Sequence, residues 1–123
     1  MTDALYGYPV LHLSQPPRFK FGKGDGVDRM ISHSGKFRDG WYGDHARLVC
    51  FDASPLLETP TRRWLIECGF LVMPIPMLAT RAQERAREAR TGRPRMTREI
   101  HAMNDWKWDA LIDLLASKIG KPR

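Results

Sequence analysis

The stretch from Ala46 to Pro74, ARLVCFDASPLLETPTRRWLIECGFLVMP, constrains the fold more than any other part of the chain. ARLVCF is a short, largely apolar run ended by Asp52. Thr59-Pro60 reads as a helix start, a capping hydroxyl followed by proline at the first helical position. Gly69 ends that helix, and the apolar run from Phe70 to Met73 is stopped by Pro74. Two short apolar runs separated by one helix predict two buried strands and a βαβ unit with a right-handed crossover. The expected fold class is therefore α+β or α/β. Its small three- to four-stranded sheet is built around this central βαβ unit, with a helical C-terminal third.

Upstream, LYGYPVLHL (residues 5–13) predicts a first strand, with Pro9 favouring an edge position. RFKF (18–21) alternates charged and aromatic residues, as a short strand with one buried face does. Gly22, Gly24, Gly26, Gly35, Gly40 and Gly43, six of the ten glycines, then mark loops, with one or two helical turns expected between Val27 and His33. Downstream of Pro74, a helix is expected from Met77 to Arg90, with only Leu78, Ala82, Ala86 and Ala89 as its apolar stripe. Thr91-Gly92-Arg93-Pro94 breaks it, and Thr97 is the expected cap of a further helix with Glu99 and Ile100 in its first turn. The last helix runs from Trp106 to about Ile119, with Trp108, Leu111, Ile112, Leu115 and Ile119 on one face and Gly120 at its end. The 123 residues read as a single domain: strands and glycine-rich loops over 1–45, the βαβ core over 46–76, and the basic helix, GRPR turn and C-terminal helix over 77–123.

No apolar run approaches the roughly 20 residues that span a bilayer, so no membrane partner is expected. MTDALYGYPV has neither a basic start nor a long apolar segment, and the expectation is a chain without a signal peptide that stays in the cytoplasm. Cys50 and Cys68 fall among apolar residues and read as buried free thiols. Cysteine and histidine at zinc-ligand spacing are lacking, so neither a metal nor another cofactor is expected. The net charge of +6, with a pI near 9.7, favours polyanionic partners.

That charge is concentrated. Between Arg81 and Arg98 lie Arg81, Arg85, Arg87, Arg90, Arg93, Arg95 and Arg98 against Glu84 and Glu88, so this segment alone carries seven minus two, or +5. All seven cations are arginines, whose guanidinium groups bind phosphate in bidentate fashion where ammonium groups act as point charges. Within the segment, Gly92-Arg93-Pro94-Arg95 resembles the core of an AT-hook and the arm that precedes the DNA-binding domain of Hin-type recombinases. In those families an extended Gly-Arg-Pro segment lies in the minor groove. The resemblance implies that Arg93 and Arg95 insert while Gly92 and Pro94 shape the backbone. It covers four residues, and two helical stretches follow it here in place of a three-helix unit. The competing reading is a solvated helix, with Arg81 and Arg85 paired to Glu84 and Glu88 one turn away.

Other groups suggest chemistry less directly. Asp52 ends the first strand of the βαβ unit, where open α/β sheets bind ligands. A carboxylate there could bind a metal or hydroxyl, or could simply enter the turn with Ser54. A metal-dependent nuclease needs a further carboxylate and a lysine nearby, and the second strand, FLVM, supplies neither. His33 is a second acid–base candidate, and Gly22-Lys23-Gly24-Asp25-Gly26 has the composition of an amide nest for phosphate. Trp41 and Tyr42, near Lys36 and Arg38, suit base stacking or a protein partner, as does Trp106.

The sequence thus favours a non-enzymatic basic protein, an accessory or regulatory factor that contacts DNA, RNA or a nucleoprotein complex through the segment from Arg81 to Arg98. The alternatives are a small enzyme acting on a nucleotide or phosphorylated substrate near Asp52 and the glycine-rich loop, and a protein-interaction or inhibitor module.

Overall fold

The computed structural model describes residues 4–24, 37, 39–74, 77–78, 85, 88–92, 96–97, 100–103, 108–120 and 122. It is an α+β fold. One antiparallel sheet contains β1 (Ala4–Leu11), β2 (Arg18–Gly24), β3 (Tyr42–Gly43), β4 (Val49–Phe51), β5 (Leu71–Pro74) and β8 (Ile100–Met103). Across the sheet the order is β3-β1-β2-β8-β5, and β4 shares the outer side of β1 with β3. The sheet is therefore five positions wide, one more than the largest sheet the sequence predicts. A separate two-stranded ladder joins β6 (Met77–Leu78) to β7 (Met96–Thr97).

The strand–helix–strand order of residues 46–74 is present, but its two strands are not neighbours. β4 pairs with β1 and β5 pairs with β8, so the two lie at opposite edges with three strands between them. Every pairing along the path is antiparallel, which makes β4 and β5 run the same way. The parallel direction expected of a βαβ unit survives; adjacency does not. Of the strands that sequence reasoning missed, β8 is the one in the interior of the sheet. Thr97, expected to cap a helix, lies in β7, and Ile100 begins a strand in the interior of the sheet. Ladder pairing on both sides, with Ile100 and His101 both fully buried, overrides the local capping signal.

β1 is interior as well, so Pro9 is not on an edge strand. Its carbonyl accepts from the Asp44 amide at 2.9 Å. In an extended strand the N and C=O of one residue point the same way, so the proline nitrogen also faces the β3/β4 side. There it meets the interval between Gly7, paired to β4, and Val10, paired to β3, where no ladder bond calls for a donor. The split of the outer edge into two short strands is what lets β1 carry a proline.

Helices α1 (Glu58–Glu67) and α2 (Trp108–Ile119) cover one face. Leu65, Leu111 and Leu115 pack there with Leu5, Phe19, Phe21, Phe51 and Leu71. Each of these fully buried side chains contributes about 1.5–3 kcal/mol of transfer free energy. The opposite face buries Tyr6, Tyr8, Val10, Ile100 and Trp41. RFKF therefore has Phe19 and Phe21 under the helices and Lys20 buried on the other side. Gly7 belongs to the helical face, where its missing Cβ leaves room for the Phe19 ring.

α1 begins one step before the expected Thr59-Pro60. Ser54 Oγ accepts from Leu56 N with Pro55 following, and this caps a 3-10 turn, Pro55–Leu57, that runs into the helix. Its end is as expected. Gly69 takes φ +80, its amide bonds to Ile66 O and the Phe70 amide to Leu65 O, a Schellman closure. Cys68, expected to be buried, is the exposed C-cap residue, Cys50 is half-buried, and neither is in a disulfide. Among the described residues no helix is long and apolar enough to cross a membrane.

Candidate functional site

The arginine segment is positioned by β6 and β7. Met77 pairs with Thr97 and Leu78 with Met96, so residues 79–95 leave and return at one point. Six of the seven arginines fall inside that excursion, and Arg98 follows directly. Residues 85 and 88–91 are helical, whereas Met77 and Leu78, expected to open this helix, form β6. Gly92, at φ +70, ends the helical stretch with its amide bonded to Glu88 O. Arg85, Glu88, Ala89, Arg90 and Thr91 are all exposed. Among the described residues neither Arg85 nor Arg90 has a carboxylate partner, so the expected Arg85–Glu88 pairing does not form. Arg81, Arg87, Arg93, Arg95 and Arg98, together with Trp106 and His33, lie outside the described residues.

A second cationic feature sits where β1 ends. His12 Nδ1 accepts from the Ser14 amide at 3.1 Å, which makes Nε2 the donor to Asp39 O at 3.0 Å. Asp39 and Gly40 both take positive φ, 62 and 83, and a Cβ on Gly40 would stand 3.1 Å from His12 Nε2. This pinned turn delivers Trp41, whose ring centroid lies 5.0 Å from that of His12 and 4.1 Å from Arg18 Cζ. Trp41 is only 6% exposed, so its ring is occupied by its own chain rather than open for a base. Tyr42 is 42% exposed, on β3 opposite Leu11. The partial burial of Arg18 lowers its pKa from the ordinary arginine value by desolvation.

A buried polar group lies between α1 and the sheet. Arg62 Nε donates to His101 Nε2 at 3.2 Å, and Arg62 Nη2 donates both to Phe21 O at 2.8 Å and to Glu58 Oε1 at 2.7 Å. Glu58, Thr61 and Leu65 form the buried face of α1, and His101 has no exposure. His101, which follows Ile100 in the helix expected after Thr97, is thus an interior strand residue. The Glu58/Arg62 spacing of i,i+4 was the one visible signal of this cluster, and nothing local pointed to His101.

Of the residues expected at the alternative catalytic site, Asp52 and part of the glycine-rich loop are described. Asp52 is exposed after β4, at the opposite end of that strand from an open cleft of about 750 Å³ lined by Ala46, Arg47, Leu48, Val49, Trp108, Asp109 and Ala110. Gly22, Lys23 and Gly24 are the last residues of β2, extended in register with Tyr6, Leu5 and Ala4, while Asp25 and Gly26 of the expected nest lie outside the described residues. Asp44 closes its own turn, accepting from the Ala46 amide at 3.1 Å and pairing with Arg47 at 3.5 Å. Among the described residues no three His, Cys, Asp or Glu side chains gather as a metal site. Comparison with protein-family models, curated proteins and solved structures finds no match to this chain.

Proposed function

We propose that the protein is a non-enzymatic binding factor for nucleic acid, or for a nucleoprotein complex, acting through the arginines between Arg81 and Arg98. One observation carries the reading: Arg85 and Arg90 are exposed and, among the described residues, unpaired, on a helical stretch whose described residues are all exposed. A helix held by core packing would bury a stripe of side chains, and one solvated by its own charges would pair them. Free guanidinium groups instead suit phosphate oxygens, with counterion release supplying affinity. The pairing of β6 with β7 supports the same reading, since it brackets six of the seven arginines between two paired strands.

The test is fluorescence anisotropy with a labelled DNA duplex, a single strand and an RNA hairpin at low salt. Binding to at least one is expected, weakened in the Arg85→Ala/Arg90→Ala variant with no change in Tm. Absence of binding to all three would sink the proposal.

A further inference from the structure

Arg18 raises a question that the arginine segment does not answer. Its guanidinium is partly withdrawn from water, yet among the described residues it has no ion pair and no hydrogen bond; its recorded partner is the Trp41 ring, 4.1 Å from Cζ. Partly buried cations are ordinarily compensated by a carboxylate or by carbonyls. On this face of the sheet the described residues of β1, β2 and β8 include no acid, and Lys20 adds a second cation. Arg18 stands opposite Val10 on one side and Ala102 on the other, two residues that offer its head nothing polar from their side chains.

Contact with an aromatic ring engages a guanidinium through its face and leaves the N–H donors at its edge. The ring is itself fixed, because the His12 bonds to Ser14 and Asp39 pin the turn that carries it. The result is a planar fork, held before any ligand arrives, with its donors unspent among the described residues. We infer that Arg18, braced by Trp41, is a preset oxyanion site for a phosphate group. That group is either a backbone phosphate of a nucleic acid or the phosphate of a free phosphorylated compound. The chemistry that fits is a tetrahedral oxyanion presenting two oxygens to one guanidinium edge. This proposal does not rest on the role of residues 79–95.

The experiment follows the Arg18 Nε–H cross-peak and the Trp41 indole N–H cross-peak in the full chain by NMR. Inorganic phosphate is titrated against sodium chloride at matched ionic strength. Phosphate is expected to move both peaks saturably while chloride leaves them in place. Arg18→Lys keeps the charge but loses the fork, and is expected to weaken the phosphate response of the Trp41 peak about tenfold. Arg18→Gln, which removes the charge, is expected to abolish it, with the rest of the spectrum unchanged in both variants. No movement with phosphate, equal movement with chloride, or undiminished affinity in Arg18→Lys overturns the proposal.

A short thymidine oligonucleotide distinguishes the two sources. Movement of the Arg18 peak assigns a backbone phosphate; a response to inorganic phosphate alone assigns a free phosphorylated compound. Both support the site. In the Arg85→Ala/Arg90→Ala variant the phosphate response of Arg18 is expected to persist, and its loss would overturn an independent site. Failure of nucleic-acid binding with the Arg18 response intact would count against the arginine segment alone.

Discussion

Arg62 donates through Nε to Nε2 of His101 across 3.2 Å, and this bond ties α1 to an interior strand of the sheet. It also fixes the tautomer, since an accepting Nε2 leaves the neutral imidazole proton on Nδ1. The same guanidinium holds Phe21 O of β2 and Glu58 of its own helix, so one side chain joins α1 to two neighbouring strands. Cation and carboxylate are both nearly buried, with side-chain exposures of 15% and 10%. Removing one partner would leave the other without its compensation.

Arg62→Ala is therefore expected to lower unfolding free energy by about 3 kcal/mol, because Glu58, His101 and Phe21 O each lose a donor. Glu58→Gln, which keeps an acceptor oxygen for Nη2, should cost only about 1 kcal/mol. Urea denaturation followed by circular dichroism measures both. Equal losses in the two variants would show that the network acts through charge alone rather than through its shared hydrogen bonds.

Ser54 is the residue that opens the α1 region, and its substitution discriminates two starts that look alike in sequence. Ser54-Pro55 and Thr59-Pro60 carry the same chemistry, a hydroxyl followed by proline five residues apart. Only Ser54 is found to cap, accepting from Leu56 N at 3.3 Å, while Thr59 is exposed within the first turn of the helix. Ser54→Ala is expected to cost about 1 kcal/mol and Thr59→Ala less than about 0.5 kcal/mol, read as Tm differences. The reverse order would place the helix start where the sequence alone suggested it.

That duplication illustrates what was legible. The strands of residues 4–24 and 46–74 announce themselves by apolar runs between turn residues, and Gly69 ends α1 where the sequence says a helix must stop. What local patterning cannot carry is partnership. β4 and β5 look like neighbours because they flank one helix, yet three strands from elsewhere in the chain separate them. IHAM is four residues with no clear alternation, and only pairing to β2 and β5 makes it a strand. The arginine segment was legible as charge, whereas the Arg18–Trp41 contact joins residues 23 positions apart and depends on a turn pinned by His12.

Two glycines are expected to resist substitution for different reasons. A Cβ at Gly7 would meet Phe19 Cζ at 2.6 Å and Lys20 O at 3.3 Å. Gly7→Ala is expected to cost about 1–3 kcal/mol, the range for overpacking a filled core. At Gly69 the space is open but φ is +80, so Gly69→Ala should cost about 1–2 kcal/mol from backbone strain. Gly69→Asn should recover part of that, since asparagine tolerates the left-handed region; Gly7→Asn should be worse than Gly7→Ala. Thermal denaturation of the four variants separates steric from conformational cost, and rescue of position 7 by asparagine would contradict the close Phe19 contact.

The salt dependence of nucleic-acid binding offers the sharpest check on the arginine segment. Each phosphate neutralised on duplex DNA adds about 0.9 to the magnitude of the slope of log K against log salt. If Arg85 and Arg90 each hold one phosphate, Arg85→Ala/Arg90→Ala should reduce that slope by about 1.8 and weaken binding most at low salt. Because both residues are exposed and, among the described residues, unpaired, the variant should unfold at the same temperature as the parent chain. A weakened affinity with an unchanged slope would mean that the two arginines contact something other than phosphate. A reduced slope for duplex DNA, beside an unchanged one for RNA, would identify duplex DNA as the polyanion these two arginines contact.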